Sequence, residues 1–455
     1  MTDVNGSGLH LSRRTFLSTA AGVGAIALAG CASPATSNIP AIDKDAIAAA
    51  EAGRPHTGRT AAYALNPQPT DIDLGGIRVR TLAYGNTMPG EVIRANIGDD
   101  LAVTVTNGLD HDTSVHWHGI ALRNDMDGAA PASLNIKPDE SCTYRFSVPH
   151  SGTYWAHPHV GLDTDYGLYL PVIVDDPTEK GDYDTEWIVV LDDWTDGVGT
   201  SPQQIFSDLH SGGMGSMGGS GMGNMPGMGG RRTGSSTPPA TPGFSDLLGG
   251  DSGDISYPYY LINGRIASAP TIFSAAAGQR IRIRIINAGA DTAFRIALAD
   301  HTMTVTHTDG YPIVPAEVDA LLLGMGERYD VIVTAKDGVF ALTALAEGKN
   351  AQAQALLRTG SGPAPDSAFR PRELDGRIGV ASTFTAADSV RLPVDGSAVA
   401  LSADLGGDMM SYNWTINGRS YDDTRPLTIE QGQRARLTFT NMTMMWHPMH
   451  LHGHT

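Results

Sequence analysis

From Ile77 onward the chain is built from short apolar runs. Val, Ile, Leu and Thr recur for a few residues, and then Gly, Asn, Asp or Pro breaks the run. Residues 102–106 (AVTVT), 144–148 (YRFSV) and 280–285 (RIRIRI) alternate strictly between apolar and polar positions. A period of two places successive side chains on opposite faces, so each segment reads as a strand with one face on a core. Nothing between residues 77 and 455 keeps the period of a long amphipathic helix, and the pattern predicts an all-β chain.

A repeat divides this pattern. Gly98, Gly278 and Gly432 each precede an alternating run that ends at Asn107, Asn287 and Asn441. Ile262-Asn263-Gly264-Arg265 and Ile416-Asn417-Gly418-Arg419 lead into the second and third copies. The spacing suits one β-sandwich per copy. The expected organisation is a signal over 1–31, a tether rich in Ala, Pro, Thr and Ser over 32–70, and sandwiches over 71–180 and 181–360. A low-complexity Met/Gly-rich insert interrupts the second at 196–254, and residues 361–455 form a third, truncated sandwich, because few residues follow Asn441.

Ser12-Arg13-Arg14-Thr15-Phe16-Leu17 matches a twin-arginine export address. The apolar segment after it, about residues 19–30, is too short to span a bilayer and reads as a signal core. It ends in Leu28-Ala29-Gly30-Cys31, which resembles a bacterial lipoprotein box and implies lipidation of the Cys31 thiol. The expected location is the cell envelope, anchored on the outer face of the cytoplasmic membrane by the lipid alone. A net charge of −18 over 455 residues argues against nucleic acid as a partner. With two cysteines, Cys31 and Cys142, no disulfide framework can be read.

Histidine carries the chemistry. Of 15 histidines, seven fall in three motifs: His116-Trp117-His118-Gly119, His157-Pro158-His159, and His447-Pro448-Met449-His450-Leu451-His452-Gly453. On a strand, each His-x-His pair shares a face. His447, three residues before His450, points elsewhere, so one segment can serve two metal centres. Imidazoles without thiolate or carboxylate neighbours suit Zn, Cu, Fe or Ni. Six are too many for one four-coordinate ion, so a multinuclear site is the simpler inference. Met214, Met217, Met222, Met225 and Met228, spaced by Gly and Ser, read either as a flexible linker or as soft thioether ligands for Cu(I), and in the second case favour copper.

With these motifs the chain resembles the multicopper oxidase family, the three-domain laccases and copper-efflux oxidases, over roughly residues 77–455. The resemblance implies three cupredoxin-like Greek-key β-sandwich domains and four copper ions. By position, His116 and His450 resemble ligands of a type 2 copper, and His118, His157, His159 and His452 four of the six ligands of a binuclear type 3 pair. His447 resembles a ligand of the type 1, blue, copper. Asp127 resembles the acidic residue that delivers protons near the cluster; a turn aspartate before Gly128 is the plainer alternative. The implied partners are dioxygen and a small reductant: Cu(I), another metal ion, a phenol or an aromatic amine. The family's His-Cys-His motif is missing, and Cys142 has no histidine beside it. The expectation is therefore a fragment of a longer protein, impaired as an oxidase by itself. The alternative is a non-enzymatic exported copper-binding protein derived from this family. A copper nitrite reductase and a zinc hydrolase are more distant readings.

Overall fold

The computed structural model describes residues 43–179, 181–217, 243–392, 398–408 and 411–455. In the first sandwich, Asp100–Thr106 lies between Thr60–Leu65, to which it is parallel, and the antiparallel Ser141–Ser147. The facing sheet runs Ile93–Asn96, Leu170–Asp175, Gly152–His157, His116–His118 in space. The alternation works as read: Leu101, Val103 and Val105 turn inward with Tyr144 and Phe146 and meet Trp117, Tyr154 and Val172 of the other sheet. Cys142 is also buried in this sandwich.

The second sandwich stacks a seven-stranded sheet on a six-stranded one. Arg280–Asn287 lies between Thr185–Trp194 and Arg328–Thr334 in the larger sheet, and its Ile281, Ile283 and Ile285 enter the core. The polar face of this strand is not left to water. Arg282 and Arg284 are both 2% exposed, because that face packs on the first sandwich. Asp330 accepts from Arg282 Nη2 (2.6 Å), Arg284 Nη1 (3.1 Å) and Thr153 Oγ1 (2.6 Å). Thr153 belongs to Gly152–His157, so a buried ionic network of the second sandwich grips a strand of the first.

Residues 398–408 and 411–455 contain one three-stranded sheet, ordered Asn413–Ile416, Val399–Asp408, Ala435–Asn441. Ala403 and Leu405 are buried there, but Phe439 is 42% exposed. One of its faces has no second sheet among the described residues.

Two expectations need correction. Pro202–Met217 forms a 16-residue helix, where the patterning promised no long helix; Gly, Ser and Met in its second half blur the helical period. Within 32–70, composed like a tether, lie the helix Lys44–Ala52, the strand Thr60–Leu65 and the start of the strand Pro67–Asp73. The helix starts at an Asp43 cap, whose carboxylate accepts from the Asp45 and Ala46 amides. Its Glu51 carboxylate accepts the Ser147 amide at 2.5 Å, which seats the helix on the first sandwich. Cys31 and the twin-arginine segment lie outside the described residues. Among those described, no helix is long and apolar enough to cross a membrane.

Candidate metal centre

His116–His118 is a three-residue strand paired antiparallel to Gly152–His157, with His116 opposite His157 and His118 opposite Trp155. Trp117 points into the sandwich core against Tyr144 and Phe146. That choice turns His116 and His118 together to the opposite face. Pro158 follows the last residue of the neighbouring strand, and beyond it the His159 amide donates to Ser114 Oγ at 2.9 Å. His157 and His159 thus come back beside the first pair, with ring centroids 5.1 Å apart.

The terminal motif arrives differently from expectation. Residues 446–455 join no strand, so His450 and His452 are not placed by a β period. No neighbouring strand offers that segment a ladder among the described residues. Both imidazoles still reach the cluster: His450 stacks on His118 at 3.8 Å and His452 on His116 at 3.9 Å between centroids. Six imidazoles therefore converge between the first sandwich and the chain's terminal segment.

Their nitrogens are arranged in a way that hydrogen bonding alone does not explain. His116 Nδ1–H donates to the Asp127 carbonyl (2.8 Å), which leaves Nε2 with a lone pair. That Nε2 faces His450 Nε2 at 3.4 Å. His157 Nδ1–H donates to the Pro158 carbonyl (3.0 Å), and its Nε2 lies 3.4 Å from His118 Nδ1. Donor atoms of His116, His159 and His452 lie within 4.8 Å of one another, as do those of His116, His118 and His157. Two nitrogens each about 2.0–2.1 Å from one ion are at most about 4.2 Å apart, so the 3.4 Å pairs suit a shared cation.

The electrostatics agree. Burial pushes His118 far below its ordinary value, with the Arg328 charge and the neighbouring imidazoles adding to it. His157 is lowered in the same way, by burial and then by His116 and His159. His159 and His450 are pushed down to about 3, by burial first and then by His116 and His452. Neutral imidazole is the form that binds metal. These donors fit a soft-to-borderline transition metal such as copper.

Asp127 is 3% exposed and braces two of the ligands. His452 Nδ1–H donates to its Oδ2 at 2.7 Å, and its Oδ1 stands 3.5 Å from His116 Nδ1 with no hydrogen bond of its own. Burial works to raise this carboxyl, but the bonds and charges of His116 and His452 outweigh it and hold it well below the usual range.

His447 stays apart from the six. Its Nε2 lies 2.7 Å from Thr443 Oγ1 and its ring 5.5 Å from Trp414, beside a separate cavity of about 320 Å³ shared with Leu405 and Met449. Met214 and Met217 fall on the helix Pro202–Met217, but their side chains lie outside what the structure describes, as do Met222, Met225 and Met228 altogether. The sequence reading missed Glu327 and Arg328, which share a cavity wall with His118 and His450. The only local signal is the Gly324-Met325-Gly326 turn ahead of an alternating strand, which carries no chemistry by itself.

Multicopper oxidase domain profiles match residues 68–179, 185–362 and 397–455. The chain belongs to the multicopper oxidase family. It is 60% identical to multicopper oxidase MmcO of Mycobacterium tuberculosis over 98% of this chain and 86% of that protein. It is 26% identical to copper resistance protein A of Escherichia coli, over 84% of this chain and 81% of that one. The crystal structure of the Botrytis aclada laccase superposes with a TM-score of 0.59 at 26% identity, covering 79% of this chain and 64% of the laccase. The fold is accordingly all-β and cupredoxin-like. Membership of this multicopper oxidase family implies copper binding and oxidoreductase activity, with dioxygen and a reducing substrate as reactants.

Proposed function

We propose that the chain couples one-electron oxidation of a small reductant to reduction of dioxygen to water at the six-histidine cluster. The convergence of imidazole nitrogens at 3.4 Å carries this reading. His116 and His450 would hold a type 2 copper, His118, His157, His159 and His452 a type 3 pair, and His447 a type 1 copper. Copper bound there supplies the reversible one-electron chemistry that side chains lack. The protein's own part is geometric and electrostatic. Asp127 fixes which nitrogen of His116 and His452 faces inward, through its carbonyl and its carboxylate respectively, and its Oδ1 is placed to accept a proton in passing. Burial keeps the imidazoles of His118, His157, His159 and His450 neutral and ready to ligate.

Cu(I) is the favoured reductant, on the Met214–Met228 tract and the 26% identity to copper resistance protein A; phenols and aromatic amines are the alternatives. Export by the twin-arginine route and a lipid on Cys31 belong to the same proposal. Chemistry with all four coppers also needs a cysteine between two histidines, a motif the 455 residues do not contain. Reading the source DNA past the codon for Thr455 tests whether it follows.

The direct test measures copper per chain and then oxygen uptake with Cu(I) and with a phenol. Copper at two or more per chain with oxygen uptake supports the oxidase. Copper without oxygen uptake supports the second reading, a non-enzymatic copper-binding protein, as would a stop codon directly after Thr455. A chain that binds no copper refutes both.

A further inference from the structure

Among the charged side chains that the second sandwich brings to the cavity of the histidine cluster is that of Arg328. Arg328 opens the strand Arg328–Thr334 and is 2% exposed. Its fork is held by carbonyls: Nε donates to Thr153 (3.2 Å), Nη1 to Gly326 (2.9 Å) and Nη2 to Asp309 (3.2 Å). Two glycines make room for this arrangement. A Cβ on Gly119, the residue after His118, would overlap the guanidinium, and one on Gly326 (φ +81°) would lie 2.9 Å from His118 Cε1. Arg328 therefore sits directly behind the first His-x-His pair and shares a cavity wall with His118 and His450.

Its charge is poorly matched. Carbonyls satisfy the guanidinium hydrogens but bring no net charge. Two acidic residues stand near it: Asp309 lies 3.3 Å from Nη1 with its side chain 37% exposed, where water and salt screen it, and the Glu327 carboxyl is raised to about 7, by burial first and then by Asp309. Arg282 and Arg284 differ, since both share the buried carboxylate of Asp330. Arg328 cannot discharge itself, because a guanidinium stays protonated at any working pH.

We propose that Arg328 is a positioning residue of the metal cluster, holding a fixed positive charge toward any anion that enters the site. This rests on the copper reading above. Reduction of dioxygen takes four electrons and four protons to give two waters, and negative charge builds on oxygen wherever electrons arrive before protons. A preorganised cation beside the site stabilises that charge without reorganising.

Fluoride, a small anion with no redox chemistry of its own, is the probe. The copper-loaded chain is titrated with fluoride and followed by electron paramagnetic resonance of the bound copper, with copper per chain measured on the same samples. Arg328→Met, which removes the charge but keeps bulk, is expected to weaken fluoride binding about tenfold or more at unchanged copper content. Arg328→Lys keeps the charge and stays within about threefold of wild type. Asp309→Asn removes the opposing charge paired with the fork while its amide oxygen can still accept the Arg328 amide, as Asp309 Oδ1 does at 3.0 Å. Fluoride should then bind about two- to fivefold more tightly. If Arg328→Met fails to fold, Arg328→Lys and Asp309→Asn still decide the matter. Unchanged affinity in Arg328→Met overturns the proposal. So does an equal loss in Arg328→Lys, which would make the fork and not the charge responsible, and so does unchanged or weaker binding in Asp309→Asn. A wild-type chain without copper overturns this proposal and the copper reading together; full copper with charge-independent fluoride binding overturns this one alone.

Discussion

Replacing Asp330 by Asn removes the single negative charge that two buried guanidiniums share. Asp330 is 1% exposed and accepts from Arg282, Arg284 and Thr153 at 2.6–3.1 Å. Burial alone would raise its pKa, but the Arg282 and Arg284 charges outweigh burial and hold the carboxyl well below its ordinary value, so it is ionised at neutral pH. The amide of Asn keeps the shape and loses the charge. Arg282 then keeps only Glu179, whose side chain is 35% exposed, and Arg284 keeps Glu186. Breaking a buried ion pair from one side costs about 3–5 kcal/mol. At about 2–4 °C per kcal/mol for a unit of this size, Tm should fall by about 6–20 °C. The assay is thermal unfolding of the metal-free chain, followed by calorimetry and circular dichroism at pH 7. Asp71→Asn is the control: its pair with Arg80 spans 3.3 Å between side chains 70% and 63% exposed, and should be worth less than about 1 kcal/mol. A Tm for Asp330→Asn within about 2 °C of wild type would refute the view that the network clamps the two sandwiches.

Further outcomes follow from the same geometry. His116→Ala should lower copper per chain by at least one ion, by elemental analysis, whereas His447→Ala should leave the copper of the six-imidazole cluster in place. Asp127→Ala keeps the carbonyl that holds His116 but unfastens His452, and equilibrium dialysis should show copper affinity weakened about 10–100-fold, as for other groups that orient metal ligands. Asp165, raised from 3.8 to about 7 by burial and then by Asp193, Asp291 and Asp163, keeps its proton in the folded chain where the unfolded chain releases it. The stability it contributes is complete below about pH 4 and is lost as pH rises through about 7. Asp165→Asn should therefore flatten the decline in urea midpoint of the metal-free chain between those limits; an unchanged slope would contradict it.

Much of the first sandwich was legible because alternation names a buried face directly: Leu101, Val103 and Val105 lie where period two puts them. The His-x-His pairs of the first domain were legible for the same reason, since Trp117 claims the core and leaves the other face to His116 and His118. Alternation does not say what a polar face meets. Arg282 and Arg284 sit at polar positions of a regular strand, and only the docking of a second sandwich makes them interior. Arg328 escaped notice on the same grounds. The helix Pro202–Met217 was hidden by its own Gly, Ser and Met. His450 and His452 were assigned to the site for a partly mistaken reason: their spacing suggested a strand, yet they reach the cluster from a segment outside any ladder.

The cluster also acts on the chain as a whole. His116 and His450 face each other across 334 residues of sequence. An ion held by both would be a clasp closing a loop that takes in the whole of the second sandwich. A cross-link around a loop of that length removes about 6 kcal/mol of conformational freedom from the unfolded chain on the simple entropic account. Loading would then wait on the segment around His450, because the clasp cannot shut until that segment has been made and folded back. Unloading would free that segment first, and limited proteolysis of the metal-free protein should begin there.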